Sequence, residues 1–119
     1  DALPALAVAA CCAQGETRIT NVAQARQKET DRIAVMAREL RLLGADIEEL
    51  PDGMIVRGAP LQGGTVHGHD DHRVVMALAV AGLRSAAPVT IEGAEAMAVT
   101  FPSFVALMQR LGAQMETDA

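Results

Sequence analysis

The amino-acid sequence predicts an α/β protein built from repeated units of helices and strands. Apolar segments with helical spacing alternate with short segments rich in β-branched residues. Elements of the first half of the chain then recur: Ile19 of "TRITNV" corresponds to Ile91 of "PVTIEG", and Gly44 of "LGADIEE" corresponds to Gly112 of "LGAQMET". The two correspondences have nearly the same spacing, which indicates duplicated supersecondary units that share one core.

Residues 2–14, "ALPALAVAACCAQ", are apolar on nearly every side, which predicts a helix that is buried on most of its faces. Asp1 is a suitable N-cap for it, and Pro4 falls in the first turn, where proline is tolerated. Cys11 and Cys12 are adjacent in this helix, so their side chains point about 100° apart and are poorly placed to form a disulfide. We therefore interpret both as buried free thiols.

The second predicted helix begins at Thr30 and is the most regular of the chain. Before it, residues 17–22, "TRITNV", predict a strand and residues 23–29 a loop. Thr30 is a suitable N-cap, and Gly44 is a typical C-terminal stop. Between them, apolar residues recur on one helical face: Ile33, Met36, Ala37, Leu40 and Leu43. This face should pack against the core.

The remaining elements follow from turn signals and apolar runs. "ADIEEL" and "MIVRG" are joined by "PDG" and predict a β-hairpin. The glycine-rich residues 59–70 predict a loop, after which a second buried helix begins near Asp71 and weakens at Gly82. A strand at 88–93 and a helix at 101–112 follow, so the second repeat is shorter than the first.

Length and composition restrict the classes of protein and partner. With 119 residues, of which 50% are hydrophobic, the chain can bury one core, so we expect a single partial domain over residues 1–119 of a longer protein. A pI near 5.0 and only two aromatic residues argue against nucleic-acid binding. No apolar run reaches the roughly 18 residues of a membrane span. We expect a cytoplasmic protein that binds neither nucleic acid nor membrane.

"RQKETDR", residues 26–32, concentrates three cations and two carboxylates in a chain with a net charge of −5. Arg32 falls in the first turn of the predicted helix, where the helix dipole disfavours a cation, so its presence calls for a reason. A helix N-terminus next to Lys28 and Arg32 suits a phosphate or carboxylate ligand. The alternative is a solvated helix start at which Lys28, Glu29 and Arg32 pair with one another across one turn.

"DDHR", residues 70–73, places a second arginine at a helix start. In a repeated architecture the equivalent ends of two helices tend to face the same region, so Arg32 and Arg73 are candidates to converge on one small anion. Each would then be tolerated by the fold and needed by the ligand. We therefore expect stability to depend little on either arginine.

"HGHDDH", residues 67–72, contains the residue types of a metal site, and its His69-Asp70 pair resembles that of metal-dependent phosphohydrolases. Such a site needs further ligands at set distances, whereas all three histidines lie within this one segment. We therefore predict no bound metal and interpret His72 as a polar residue at a helix start. A binding module without enzymatic activity has no apolar surface motif or charge stripe in its favour.

Four segments in one collinear order carry a family resemblance: "RQKETDR", "MARELRLLGADIEE", "DDHRVVMALAVAGL" and "TFPSF". Together they resemble the C-terminal part of the 5-enolpyruvylshikimate-3-phosphate synthases. The resemblance implies the enolpyruvyl transferase fold, in which each of two domains is built from three βαβαββ units, with about one and a half of these units in this chain. It also implies an active site between the two domains, so we expect this chain to be inactive by itself.

The resemblance further implies transfer of the enolpyruvyl group of phosphoenolpyruvate to the 5-hydroxyl of shikimate-3-phosphate, with release of phosphate, in the biosynthesis of aromatic amino acids. The partners would be these two substrates and the remainder of the parent enzyme, and no cofactor is expected. By motif match, Glu29 is the proton donor to the methylene carbon, and Asp1 is the carboxylate that binds and deprotonates the hydroxyl. Lys28 lies between the two substrates and assists the same hydroxyl.

Three further residues match substrate-binding positions of the family. Arg32 and Arg73 would hold phosphoenolpyruvate, and Gln24 occupies the place of a carboxamide that contacts the phosphate of shikimate-3-phosphate. Val99 departs from the pattern, because some members carry a lysine there that helps to bind phosphoenolpyruvate. A sibling enolpyruvyl transferase that acts on a UDP-sugar shares the fold and the helix-start arginines, but the complete "KETDR" favours the shikimate enzyme.

Overall fold

Helices and short strands alternate in the part of the chain that the computed structural model describes, which is residues 2–94, 104–110 and 112–115. The helices there are α1 (Leu3–Cys12), α2 (Arg32–Leu42), α3 (His72–Leu83) and α4 (Phe104–Arg110), with a 3-10 helix at Ala23–Gln27. The strands are β1 (Glu16–Ile19), β2 (Asp46–Leu50), β3 (Gly53–Arg57), β4 (Gly64–His67) and β5 (Val89–Glu92). The predicted mixture of helices and strands is confirmed.

The order of these elements supports the predicted repeat. α1, β1 and α2 follow one another in the first half of the chain, and α3, β5 and α4 do so in the second. Gly44 and Gly112, which occupy equivalent places in the two sequence repeats, both have left-handed backbone angles, with φ of +89° and +99°. A left-handed residue after a helix satisfies its last carbonyl groups, and glycine adopts that conformation without steric cost.

The strands form two sheets. The first has the order β1-β3-β2 and is antiparallel, with Arg57 of β3 opposite Glu16 of β1 on one side and Asp46 of β2 on the other. It contains the predicted hairpin, formed by β2 and β3. The second sheet pairs β4 with β5 in parallel. Parallel strands need a crossover connection, and α3 provides it here.

The prediction of a loop at residues 59–70 is wrong in part, because β4 lies within it. The strand has the sequence "GTVH" and is only four residues long, which is too short to show a periodicity of its own. Its partner β5 lies beyond α3 in the chain, so no local signal marks the pairing. The first strand is also displaced from the predicted residues 17–22: it begins at Glu16, and Asn21 beyond it has a positive φ of 60°.

α2 is central to the packing and links the two sheets. It contacts α1, α3 and strands of both sheets. Its side chains Ile33, Met36, Ala37 and Leu40 are completely buried, as their helical spacing predicted. Full burial of one such large side chain stabilises a fold by about 1.5–3 kcal/mol. The residues at the start of α2 are therefore held on a well-packed element.

Asp31 caps the start of α2, since its side chain accepts a hydrogen bond from the backbone N–H of Ala34 at 3.1 Å. The predicted cap, Thr30, precedes it by one residue, and its hydroxyl instead donates to Asp71 at 2.8 Å. An aspartate at this position also places a negative charge at the positive end of the helix dipole. α3 begins at His72, next to the predicted start near Asp71, and Asp71 is its N-cap.

α1 begins at Leu3 and is apolar over its ten residues. Ala2 occupies its N-cap position and provides no side-chain hydrogen bond, while Asp1, the predicted cap, lies outside the described residues. Proline stands in the first turn, as predicted. Among the helices of the described ranges, none combines the length and the apolar character needed to cross a membrane.

The prediction that both cysteines are buried is correct for Cys11 and wrong for Cys12. Cys11 is 2% exposed, whereas Cys12 is exposed and lines a groove between α1 and α3. Adjacent positions of a helix face different directions, and only one of the two points into the core. Burial, and to a lesser extent the neighbouring Cys12, raises the pKa of Cys11 to about 11.

We expect iodoacetamide to label Cys12 quickly and Cys11 only when the protein unfolds. The exposed Cys12 is accessible to the reagent, while Cys11 is buried and its raised pKa keeps it protonated. Mass spectrometry of samples taken over time measures the two rates, and a Cys12→Ser variant should lose the fast phase. Fast labelling of Cys11 in the folded protein would contradict its burial.

Candidate active site

The carboxylate of Asp71 joins the start of α2 to the start of α3. Arg32 of α2 donates to it twice, from Nε to Oδ2 at 2.8 Å and from Nη2 to Oδ1 at 3.0 Å. The hydroxyl of Thr30 adds a third bond to Oδ2. From α3, the backbone N–H groups of Arg73 and Val74 donate to Oδ1 at 3.0 and 3.4 Å. Asp71 therefore caps α3 and, through Arg32, holds the start of α2 against it.

Arg32 and Asp71 form a buried ion pair. Asp71 is completely buried, and the side chain of Arg32 is 3% exposed. Burial alone would raise the pKa of Asp71, but the hydrogen bonds from Arg32 and Thr30 and the charge of Arg32 hold the pKa below its ordinary value of 3.8. The carboxylate is thus ionised at neutral pH, and the fork of the guanidinium matches it with two parallel bonds.

Arg32 also binds Glu29, which precedes it by one helical turn. Nη2 of Arg32 lies 2.7 Å from Oε2 of Glu29. Glu29 is exposed on its other side, and the ring of His72 lies beyond it, with Nδ1 3.6 Å from the same Oε2. The guanidinium of Arg32 therefore bridges a buried carboxylate and an exposed one.

These contacts correct one expectation from the sequence. Arg32 was expected to contribute little to stability, but it is buried and is the main charged partner of a fully buried carboxylate. The alternative, in which Glu29 and Arg32 pair across one turn, is present in the contacts, although the arginine is not solvated. A binding role for Arg32 stays a prediction, and it now has to coexist with a structural one.

Arg26 fixes the loop that carries Lys28 and Glu29. Its Nη1 donates to Asp31 at 2.7 Å, which joins the two ends of that loop. Its other nitrogen atoms bind the β2–β3 hairpin, through the Glu49 carboxylate at 2.8 Å and two backbone carbonyls of residues 50 and 51 at 2.6 and 2.9 Å. An arginine that makes four directed hydrogen bonds restrains the loop more than one surface ion pair does.

Five of the six residues predicted for the site lie in the described part of the chain. Gln24 lies on the 3-10 helix, and Lys28 and Glu29 lie on the loop after it; all three are exposed. Arg32 through its side chain and Arg73 through its backbone meet at Asp71, so the two helix starts lie together, while the convergence of both arginines on one small anion stays a prediction. Asp1 is outside the described residues, as is Val99.

The side chain of Arg73 is exposed and lines the groove between α1 and α3. Ala2 also lines this groove, and most of its remaining surface is formed by apolar side chains of the two helices. The two arginines therefore have different surroundings. Arg32, on α2, is enclosed by carboxylates. Arg73 lies in the first turn of α3, which Asp71 caps, and its side chain is exposed to solvent.

The three histidines of "HGHDDH" divide into two groups. The ring centroids of His67 and His69 lie 4.9 Å apart, with His69 Nε2 3.0 Å from Glu39, while His72 faces Glu29. Within the described residues, Glu29, Asp71 and His72 bring possible metal-ligand atoms within 4.8 Å of one another. The guanidinium of Arg32 already supplies the positive charge between the two carboxylates. The absence of a bound metal stays a prediction.

Sequence reasoning missed three residues that organise this site. They are Arg26, Glu39 and, as the partner of Arg32, Asp71. Asp71 was predicted only as the approximate start of a helix. Its pairing with Arg32 joins residues 39 positions apart, and no local pattern marks such a pair. The available signal was the arginine in a dipole-positive helix start, which indicated that an anion had to lie nearby.

Replacement of Asp71 by alanine should lower the free energy of unfolding by about 3–5 kcal/mol, because it leaves Arg32 buried without its main partner. Asp46→Ala, which removes an exposed carboxylate on β2, serves as the control and should stay within about 0.5 kcal/mol of the unsubstituted protein. Urea denaturation measures both. Equal losses in the two variants would show that the buried pair does not stabilise the fold.

Stability should also decline in acid because of Asp71. Its pKa in the folded protein is lowered, so its contribution is fully present above the ordinary pKa of 3.8 and is lost as the pH falls through the lower folded value. The difference in unfolding free energy between the unsubstituted protein and Asp71→Asn should therefore be constant above about pH 5 and shrink below about pH 4. Denaturation curves from pH 7 to pH 2 test this, and a difference independent of pH would count against it.

Comparison with known proteins agrees with the resemblance found in the motifs. The family model described as EPSP synthase (3-phosphoshikimate 1-carboxyvinyltransferase) matches residues 1–108. A 3-phosphoshikimate 1-carboxyvinyltransferase of Ruminiclostridium cellulolyticum is 58% identical over 116 residues, which cover 98% of this chain and 28% of that protein. The corresponding protein of Methanocaldococcus jannaschii is 47% identical over 117 residues, which cover 98% of this chain and 27% of that protein.

The fold is shared with solved structures of the same family. An EPSP synthase from Acinetobacter baumannii superposes with a TM-score of 0.92 and 42% identity, over 98% of this chain and 28% of that one. The chain thus spans a little more than a quarter of the length of the relatives that it matches. The match extends over nearly all of the chain and includes the segment from Arg26 to Arg73. The chain belongs to the EPSP synthase (3-phosphoshikimate 1-carboxyvinyltransferase) family.

Proposed function

We propose that this chain supplies part of the active site of an enzyme that transfers the enolpyruvyl group of phosphoenolpyruvate to the 5-hydroxyl of shikimate-3-phosphate and releases phosphate. The observation that carries the proposal is the junction at Asp71, which brings the starts of α2 and α3 together with Glu29, Arg32 and Arg73. The remainder of the site would come from the rest of a parent enzyme. Cytoplasmic location, like the absence of a cofactor, is part of the proposal.

The reaction needs a proton for the methylene carbon, a base for the attacking hydroxyl and cations for the substrate anions. Glu29 would donate the proton to the methylene carbon while the hydroxyl oxygen bonds to the adjacent carbon, which gives a tetrahedral intermediate. Asp1 would accept the hydroxyl proton, assisted by Lys28. Loss of phosphate and of one proton from the new methyl group then restores the double bond.

The bond between Arg32 and Glu29 suggests how substrate binding and proton transfer are connected. Arg32 is enclosed by Asp71 and Glu29, and Glu29 is the exposed partner. An anionic group of phosphoenolpyruvate would compete with Glu29 for Nη2 and displace it. Glu29 would then be released from the guanidinium next to the reacting carbon, while Asp71 keeps Arg32 in place.

Arg73 and Gln24 would contact the substrates without a structural role of comparable size. Both side chains are exposed, and Arg73 lies in the first turn of α3, where the helix dipole favours anions. Arg73 would bind phosphoenolpyruvate, and Gln24 would donate to the phosphate of shikimate-3-phosphate. Because Arg32 also stabilises the fold, Arg73 and Glu29 are the better positions at which to test function.

The test uses a chimera in which residues 1–119 replace the matching part of the Ruminiclostridium cellulolyticum relative. We expect it to release phosphate from phosphoenolpyruvate only when shikimate-3-phosphate is present, and not with a UDP-sugar in its place. We expect the isolated chain to be inactive. Glu29→Gln should lower kcat by about 10²–10⁴-fold, and Arg73→Ala should lower kcat/KM by about 10²–10³-fold.

Matched control variants are available on the outer face of the antiparallel sheet. Glu48→Gln and Arg18→Ala remove exposed charges of the same types, on β2 and β1, and should leave kcat/KM unchanged. Near-normal turnover by both Glu29→Gln and Arg73→Ala would refute the assignment of these residues. Turnover of a UDP-sugar instead of shikimate-3-phosphate would refute the proposed substrate.

A further inference from the structure

Glu39 is a second buried charge on α2, seven residues after Arg32 and therefore on the same face of the helix. Each of the two residues is 2% exposed. Each binds the segment between β4 and α3, with Arg32 holding its end at Asp71 and Glu39 holding its beginning at His67. α2 thus fixes this segment, residues 67–71, at two points.

The contacts of Glu39 use both carboxylate oxygens. Oε1 accepts from the backbone N–H of His67 at 2.7 Å, and Oε2 lies 3.0 Å from Nε2 of His69. His69 in turn donates its backbone N–H to Nδ1 of His67 at 2.8 Å. The Nε atom of Arg38 lies 3.8 Å from Oε2 on the solvent side. The buried carboxylate of Glu39 and the imidazole rings of His67 and His69 therefore hold residues 67–69 in place.

The backbone of this segment needs such restraint. His69 and Asp70 both have positive φ angles, of 53° and 55°, in the left-handed region that residues other than glycine keep only when their surroundings hold them there. Gly68 before them is tightly enclosed, since a Cβ there would lie 2.3 Å from a Val75 methyl group and 2.9 Å from the carbonyl of Gly93. Asp71 directly follows Asp70 in the chain, so a shift of the backbone at His69 or Asp70 would move the residue that caps α3.

We propose that Glu39 and His69 are positioning residues for the reaction proposed above. They hold the segment between β4 and α3 in its left-handed conformation, and this keeps Asp71 and the Arg73 that follows it aligned with Arg32. Neither residue touches substrate in this scheme; both act through Arg73. The inference rests on the proposed function for its catalytic consequence and on the contacts of Glu39 for its structural one.

In the chimera, Glu39→Ala should raise KM for phosphoenolpyruvate at least 10-fold and change KM for shikimate-3-phosphate less than 2-fold, because Arg73 is assigned to the former substrate. Glu39→Gln keeps an oxygen for the His67 N–H and should recover most of the loss. His69→Gln should cause an intermediate rise, since only the bond to Oε2 is affected. An equal rise of both KM values would overturn the proposal.

Leu40→Ala is the matched control. It removes a fully buried side chain from the same helix, next to Glu39, and lowers stability without touching the segment at 67–71 through a polar contact. Its two KM values should keep the ratio of the unsubstituted chimera. If Leu40→Ala shifts that ratio as Glu39→Ala does, the effect is one of general destabilisation and the proposal fails.

Hydrogen exchange gives a readout that does not depend on activity. The amides of Arg73 and Val74 donate to Asp71, so Glu39→Ala should speed their exchange at least 10-fold relative to the amides of the α2 interior, as measured by mass spectrometry of peptides covering residues 67–76. Leu40→Ala should not change this relative rate. Unchanged exchange in Glu39→Ala would overturn the proposal. An unsubstituted chimera without activity would instead refute the proposed function.

Discussion

The arrangement of the candidate site depends on one buried ion pair, between Arg32 and Asp71. Neither charge is stable in the interior alone, because removal from water costs each several kcal/mol, and the two bonds between them offset that cost only while the geometry is kept. The pair therefore ties two helix starts together that are far apart in the sequence. Because the backbone N–H of Arg73 donates to Asp71, the pair also fixes the position on α3 from which the side chain of Arg73 extends.

Two further sets of hydrogen bonds extend this constraint. On one side, Arg26 joins the loop of Lys28 and Glu29 to the β2–β3 hairpin, and on the other side Glu39 joins α2 to the segment that enters α3. All of these bonds involve α2 or the 3-10 helix and loop that precede it. Because α2 also buries its apolar face against both sheets, polar alignment and core packing depend on the same helix. This explains how exposed residues at the site can be held by buried ones.

The features that sequence predicted well are those with a local physical cause. The hairpin follows from "PDG" between two short strands, the buried face of α2 follows from its periodicity, and the start of α3 near Asp71 follows from the apolar run that comes after a glycine-rich segment. What failed depends on distant partners: β4 is defined by its pairing with β5, and Arg32 is buried because Asp71 lies against it. The dipole argument correctly required an anion near Arg32 but could not distinguish a ligand from a carboxylate of the same chain.

That ambiguity has a physical basis, since a protein carboxylate and a substrate anion offer a guanidinium the same bidentate geometry. Arg32 divides its donors between Asp71, which is buried, and Glu29, which is exposed and which phosphoenolpyruvate would displace in the proposed reaction. This arrangement keeps the charges of Arg32, Asp71 and Glu29 paired within the chain itself. Under the proposed function, the loss of Arg32 would therefore remove a structural bond and a binding contact together. Under the proposed function, the contribution of the site to catalysis is therefore best measured at exposed positions such as Glu29 and Arg73.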